Sequence, residues 1–276
     1  PYDTAFRHDQ ETAPALSYDA ENAAGLPPYS GGFRGYYFGH SGFLIETPSA
    51  TLLFDWYSGT IPAVRRHKPF YIFVSHLHAD HFTPRVFTLA ANLSAAAVII
   101  GAQSEEKEVN DYLTSLDPKL RSITRGLKAF EQYSDRLIQV DTLTSTDLGV
   151  AFLVHIDGKT IYHAGDLAVW EDPSGEPNIL KLFRYLIAPL GGETIDYAML
   201  PMDPRMGRCG ELTIRQYLGL KTIRYFTPMH LWGKYETIDE FVRQHPEYAG
   251  KMITVSSHMG AIACKIRIGN FYPLNI

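Results

Sequence analysis

Only two cysteines, Cys209 and Cys264, occur in 276 residues, far apart and in unlike surroundings. Two lone thiols make no disulfide framework and suit a reducing compartment, with a single bridge between them left open. No apolar run approaches the roughly 20 residues of a membrane span. No cluster of Lys or Arg exceeds two residues, and the formal charge of −5 leaves no electrostatic footprint for nucleic acid or an anionic membrane. A charged tail is excluded by the same observation, and neither a fixed-period repeat nor a low-complexity segment is present. With 45 % hydrophobic content the chain is globular and long enough for one large domain or two small ones. The cytoplasm is the expected compartment, although the chain starts at Pro1 and a cleaved leader would leave no trace.

What the chain does have is Val74-Ser75-His76-Leu77-His78-Ala79-Asp80-His81-Phe82-Thr83-Pro84. Four residues of metal-ligating type, His76, His78, Asp80 and His81, fall within six positions. They follow the apolar run Tyr71 to Val74, which reads as a buried strand, and precede Thr83-Pro84, which reads as an N-cap and first helical position. The ligands therefore sit at a strand-to-helix edge, where α/β sheets place their sites. Neutral imidazoles with a carboxylate, and no cysteine nearby, suit an open site for zinc, iron or manganese. In an extended segment His76 and His78 project from one face, while Asp80 and His81 lie past the strand and can aim at a second position.

Around this stretch, residues 1–34 carry Pro14, Pro27-Pro28 and Gly31-Gly32 without an apolar period, and read as an irregular N-terminal arm. Residues 35–276 form the remaining domain. Short β runs over 35–38, 43–46 and 51–55 predict an antiparallel meander. Helices are predicted over 84–91 and 105–113, with a buried strand over 97–100 between them. Strands follow over 136–140, 149–156 and 159–163, the last two joined by the hairpin dipeptide Asp157-Gly158. Helices over 178–188, 211–220 and 238–244 then alternate with strands over 196–200, 223–227, 252–255 and 262–268. Two sheets packed face to face with helices outside would fit this order.

Two more strand ends carry ligand-type residues: Asp166 in His163-Ala164-Gly165-Asp166, and His230 after Phe226-Thr227-Pro228-Met229. His-x-His-x-Asp-His, then Gly-Asp, then a strand-end His, resembles the metallo-β-lactamase superfamily of hydrolases. Tyr37-Phe38-Gly39-His40-Ser41-Gly42-Phe43-Leu44-Ile45-Glu46 is similar to its lactonase-like or uncharacterised branch. The resemblance covers about residues 35 to 270. It implies an α/β fold, a four-layer αββα sandwich of two mixed β-sheets flanked by helices. It also implies His76 and His78 at one metal, Asp80, His81 and His230 at a second, and Asp166 bridging both. One or two divalent metals are expected, zinc foremost, with manganese or iron as alternatives. The family's usual third imidazole on the first metal is missing here: the corresponding region reads Leu143-Thr144-Ser145-Thr146-Asp147-Leu148-Gly149. In its place Asp147 is a substitute oxygen ligand or an ordinary turn residue, Ser145 or Thr146 holds a water, or the first site is weak.

Among the remaining candidates, His40 in its Gly-flanked turn either orients a ligand or bonds only to backbone. His163 reads as structural, and His155 and His258 as packing or surface residues. Arg205 either grips a substrate carboxylate or phosphate or pairs with a structural Asp. Trp56, Tyr57, Trp170 and Trp232 either wall a pocket or cover sheet ends. The expected function is metal-dependent hydrolysis of an ester, lactone, amide or small phosphodiester by an activated hydroxide, with Asp80 or Asp166 orienting the nucleophile or taking its proton. The alternatives are a non-catalytic metal-binding or regulatory protein on this fold and a mononuclear iron oxidoreductase. The partner expected is a small-molecule substrate, with no large nucleic acid and no membrane; the oligomeric state stays open.

Overall fold

A computed structural model describes residues 33–61, 68–170, 178–255 and 266–268. Most of the expected N-terminal arm, residues 1–32, therefore lies outside the described residues, as does His258. The first strand, β1 (Phe33–Gly39), already includes the last two positions assigned to the arm.

The meander is present. β1, β2 (Gly42–Glu46) and β3 (Thr51–Phe54) pair antiparallel, with Tyr37 opposite Phe43 and Phe43 opposite Phe54. From β3 the sheet turns parallel, through β4 (Phe70–Val74), β5 (Ala97–Gly101) and β6 (Thr124–Leu127). The crossovers carry helices α1 (Arg85–Leu93), α2 (Glu106–Ser115) and α3 (Pro118–Ile123). A second sheet repeats this change of sense. β7 (Gln132–Ser134), β8 (Gln139–Thr144), β9 (Val150–Ile156) and β10 (Lys159–His163) are antiparallel. β11 (Ile195–Pro201) and β12 (Ile223–Met229) then add in parallel. Helices α4 (Asn178–Ile187), α5 (Arg208–Gly219) and α6 (Glu236–Gln244) accompany this half, and β13 (Ile266–Ile268) closes the first sheet against β1.

Side-chain alternation makes the layers. In the first sheet Phe43, Ile45, Leu52, Phe54, Tyr71, Phe73 and Ile99 face the second sheet, where Phe73 meets Phe152 at 5.4 Å between ring centroids. Their neighbours Leu44, Leu53, Ile72, Val74, Val98 and Ile100 turn the other way onto Val86, Leu89 and Val109 of α1 and α2. Strands buried on both faces explain why these runs read as continuously apolar.

Several expectations are corrected. The strand predicted over 136–140 starts at Gln139, because Asp135 Oδ1 accepts from the N–H of Leu137 (2.7 Å) and Ile138 (3.0 Å) and spends those residues on a turn. Thr83 does not cap α1: Pro84 occupies the cap position without a side-chain bond, and the Thr83 hydroxyl lies 3.5 Å from Arg85 N. Residues 252–255 form a single bridge, Met252 to Phe226, and not a strand. Three further elements, α3, β6 and β7, all six residues or shorter, have no counterpart among the predicted ones.

One hydrogen bond between the two sheets governs the site. Val150 N at the start of β9 donates to Ser75 O at the end of β4 (3.0 Å). A Cβ at Gly149 would stand 1.9 Å from that carbonyl oxygen, one at Gly101 2.0 Å from it, and one at Gly165 2.9 Å from Ser75 Cβ. Gly149 and Gly165 also have positive φ, +67° and +52°. Gly149→Ala should therefore cost about 2–4 kcal/mol, from overpacking added to a left-handed backbone. Gly158→Asn in the Asp157-Gly158 turn, where an added Cβ meets nothing within 4 Å, should cost at most a few tenths of a kcal/mol. Urea denaturation midpoints of the two variants would check the contrast.

Candidate metal centre

Three parallel strands deliver the site from their carboxyl ends: β4 runs into His76–His81, β10 into Asp166, and β12 into His230. The loop after β4 is held tightly. His78 O accepts from both His81 N and Phe82 N (2.9 Å each), and the Glu105 carboxylate accepts from Leu77 N at 3.0 and 3.3 Å. His230 has φ +65°, and its N–H donates to His40 O (3.0 Å), which fixes the β1–β2 turn against the end of β12.

The expected ligands converge in two groups. On one side His81 Nε2 and His230 Nε2 each lie close to both Asp166 Oδ1 and Asp80 Oδ2. His81 Nε2 lies 3.3 Å from His230 Nε2, 3.2 Å from Asp166 Oδ1 and 3.9 Å from Asp80 Oδ2. His230 Nε2 lies 3.4 Å from Asp166 Oδ1 and 3.7 Å from Asp80 Oδ2. Ligands about 2.1 Å from a tetrahedral ion stand about 3.4 Å apart, so this spacing fits a divalent cation. On the other side His76 Nε2 lies 3.0 Å from His78 Nδ1 and 3.6 Å from Asp166 Oδ2. Asp166 thus offers one oxygen to each group, and its buried Oδ1 has no N–H in line to donate to it.

Two buried carboxylates, neither of them marked by the sequence as a partner of a ligand imidazole, set the rings. His81 Nδ1 donates to Asp55 Oδ2 (2.7 Å), and Asp55 is itself pinned by Ser75 N (2.7 Å) and Ser75 Oγ (2.6 Å). His230 Nδ1 donates to Asp203 Oδ2 (2.7 Å), which also accepts from Trp232 Nε1 (2.9 Å). Each bond leaves the Nε2 lone pair facing the centre. Asp55 reads in sequence as the last residue of a β run. The available signal was that it ends a strand adjacent and parallel to β4, which becomes visible only once the pairing is known.

The electrostatics call for a cation. Burial works against the Asp166 charge, yet His81, His230 and His76 hold its carboxyl well below the ordinary range. Burial likewise opposes a charge on His81, but Asp166 and Asp55 outweigh it and raise its pKa well above the usual value. His76, buried and beside His81, is pushed down to about 3, so it is a neutral donor at any ordinary pH. A divalent ion would supply the positive charge that these carboxylates otherwise draw onto His81.

Of the other candidates, the structure brings His40 in: its Nε2 is 2.9 Å from Asp80 Oδ2, and His40, Asp80, His81 and His230 form one potential ligand group. Asp147 stays outside both groups. It is exposed in the turn before β9, its N–H bonded to Ser145 Oγ (3.1 Å). Partial desolvation by its neighbours and the charge of nearby Asp166 raise its carboxyl. Arg205 pairs with Asp203 through Nε (2.9 Å) and Nη2 (2.6 Å) and lies 4.4 Å over the Trp232 ring. Trp170 and Trp232 flank His230 edge-on at 5.9 and 5.8 Å, Tyr57 sits 6.2 Å from His40, and Trp56 is fully buried in the core. His163 donates from Nε2 to Ser41 O (2.9 Å), accepts Gly165 N at Nδ1 (3.2 Å) and stacks on Phe54. His155 pairs with Asp141 at 3.2 Å, remote from the centre.

Two mixed sheets flanked by helices, with a His/Asp metal centre at the carboxyl ends of the parallel strands, are the architecture of the metallo-β-lactamase fold. A family model for the β-lactamase superfamily domain matches residues 36–200. A UPF0173 metal-dependent hydrolase of Symbiobacterium thermophilum is 30 % identical over 214 residues, covering 73 % of this chain and 85 % of that protein. Another from Methanocorpusculum labreanum is 30 % identical over 209 residues, 71 % and 81 % respectively. The chain belongs to the β-lactamase superfamily, among its metal-dependent hydrolases. In fold it resembles Igni18, a metallo hydrolase of Ignicoccus hospitalis, with TM-score 0.60 at 14 % identity over 87 % of this chain and 100 % of that one. It also resembles CmlA, a diiron β-hydroxylase of Streptomyces venezuelae, with TM-score 0.59 at 13 % identity over 88 % and 55 %. One fold thus carries unlike chemistries, and the reaction has to be argued from the site.

Asp203→Asn should keep the fold and weaken metal binding about 10–100-fold, the usual effect of losing a carboxylate behind a ligating imidazole. Competition against a chromogenic chelator would measure it.

Proposed function

We propose that this chain hydrolyses a small ester, lactone, amide or phosphodiester at a two-metal centre, with His76 and His78 at one ion, Asp80, His81 and His230 at the other, and Asp166 shared. The observation that carries this reading is the span of Asp166, whose Oδ2 faces His76 while Oδ1 faces His81 and His230. When bound, divalent metal lowers the pKa of water toward neutrality and polarises the oxygen under attack. The chain's own residues do the rest. Asp166 is buried, and its two oxygens are committed to the two groups, so it sets their separation. Asp80 is partly exposed at the rim and held below the ordinary carboxylate range by His40 and His81 against the pull of burial. It therefore keeps its charge at neutral pH and orients a water by accepting its hydrogen bond.

A small substrate is supported by the balance of −5 overall and by the indoles of Trp170 and Trp232 at the rim. Zinc remains the metal this donor set suits first, with manganese or iron as alternatives. The exposed edge of the Arg205 guanidinium adds a place for a substrate carboxylate or phosphate beside the centre. Its selectivity is checked by comparing p-nitrophenyl acetate with the carboxylated p-nitrophenyl hemiglutarate.

In a panel of lactones, aryl esters, amides and phosphodiesters, the metal-loaded protein should turn over at least one class. Asp166→Ala and His78→Ala should each lower kcat on the order of 10³-fold while circular dichroism stays unchanged. A protein that binds iron, is coloured and consumes oxygen without hydrolysing any member of the panel would replace this reading with an oxidative one.

A further inference from the structure

The two halves of the centre are built unequally. On the Asp80/His81/His230 side both imidazoles are buried and each is held by a buried carboxylate, Asp55 or Asp203, at 2.7 Å. On the other side His78 is exposed, and among the described residues no carboxylate is hydrogen-bonded to its ring or to that of His76. The His76 Nδ1 meets only the Ser75 hydroxyl at 3.0 Å, and Asp147 remains outside the group. A carboxylate behind a ligand both fixes the ring and raises its basicity, so the first side holds metal more firmly than the second.

His40 adds to the imbalance. It is buried, its backbone is held at φ +49° by the turn, and its ring packs 3.8 Å from the His230 ring and 4.4 Å from Trp232. Its Nε2 has no hydrogen bond in good geometry, yet lies 2.9 Å from Asp80 Oδ2 and within one ligand group with His81 and His230. Two ligands about 2.1 Å from the same ion and about 3.0 Å apart subtend about 90°, an angle found in a five-coordinate shell and not in a tetrahedral one. We propose that His40 is a fifth donor to the metal position formed by Asp80, His81, His230 and Asp166. This position fills first and tightly, while the His76/His78 position fills second and exchanges. The proposal rests on the reading of these residues as a metal centre, and it is independent of which bond the enzyme cleaves.

The test is a metal titration of chelator-stripped protein with zinc, counted by native mass spectrometry, and with cobalt(II), followed by absorption. Wild type should load in two steps, the first at least about 10-fold tighter. His40→Asn, a residue that tolerates the left-handed backbone, should weaken the first step about 10–100-fold and leave the second within a few-fold. The first cobalt should then absorb more strongly, as it drops from five ligands to four, and His40→Gln, which restores a donor, should recover part of the loss. His78→Ala should abolish the second step alone. Equal affinities in wild type, no metal bound at all, or a His40→Asn protein with unchanged first-step affinity and cobalt spectrum would each overturn the proposal. Two-step loading without turnover of any substrate would leave it standing and remove only the hydrolase reading.

Discussion

Four carboxylates, those of Asp55, Asp80, Asp166 and Asp203, meet at one edge of the molecule, three of them buried. Burying charge costs several kcal/mol per ion unless it is paired and hydrogen-bonded, and each of these is answered in a different way. Asp55 takes two bonds from Ser75 and one from His81. Asp203 takes Arg205, Trp232 and His230. Asp166 is left with an oxygen that no N–H satisfies. That residual demand, placed among three imidazole nitrogens, is what a cation at this edge would answer.

The arrangement tolerates little slack because it joins two sheets. His76 and His81 hang from the first sheet, and Asp166 and His230 from the second, so their spacing is set by how closely Ser75 approaches Val150. Gly101, Gly149 and Gly165 clear the volume for that approach. The same contact carries Ser75 N and Oγ to Asp55, so backbone packing and orientation of His81 are one mechanical unit. A change in sheet spacing would move Asp166 away from His76 and His81 together.

Much of this is legible in the amino-acid sequence because the ligand pattern is local in one place and punctuated in the others. The six residues from His76 to His81 follow an apolar run, and Gly165-Asp166 and His230 each follow another. The strand and helix order followed from burial on both faces of the strands, which leaves unbroken apolar runs. What escaped is non-local. Asp55 is twenty residues before Ser75 in the chain, and only the parallel pairing of β3 with β4 makes them neighbours. Asp203 was visible as a partner for Arg205, but its bond to His230 depends on β11 and β12 lying side by side. His40 is ambiguous in sequence for the same reason, since its turn is fixed at the centre by the bond from His230 N to His40 O, 190 positions away in the chain. The short elements after Pro118 went unread because six residues or fewer carry too little period to detect.

Charge explains why a centre of this composition would have use for a second ion. Asp203 is balanced by Arg205, which leaves Asp55, Asp80 and Asp166 with three negative charges. One divalent ion leaves the cluster net negative, which favours retention of the metal and repels an anionic substrate oxygen. Two divalent ions leave about one positive charge, and an anion developing at a scissile group is attracted to it over the short distances of a partly water-excluded site. His78 is exposed and Asp80 partly so, and each half therefore reaches the rim. Asp166, the residue that touches both halves, stays buried between two rims, His78 on one side and Asp80 on the other.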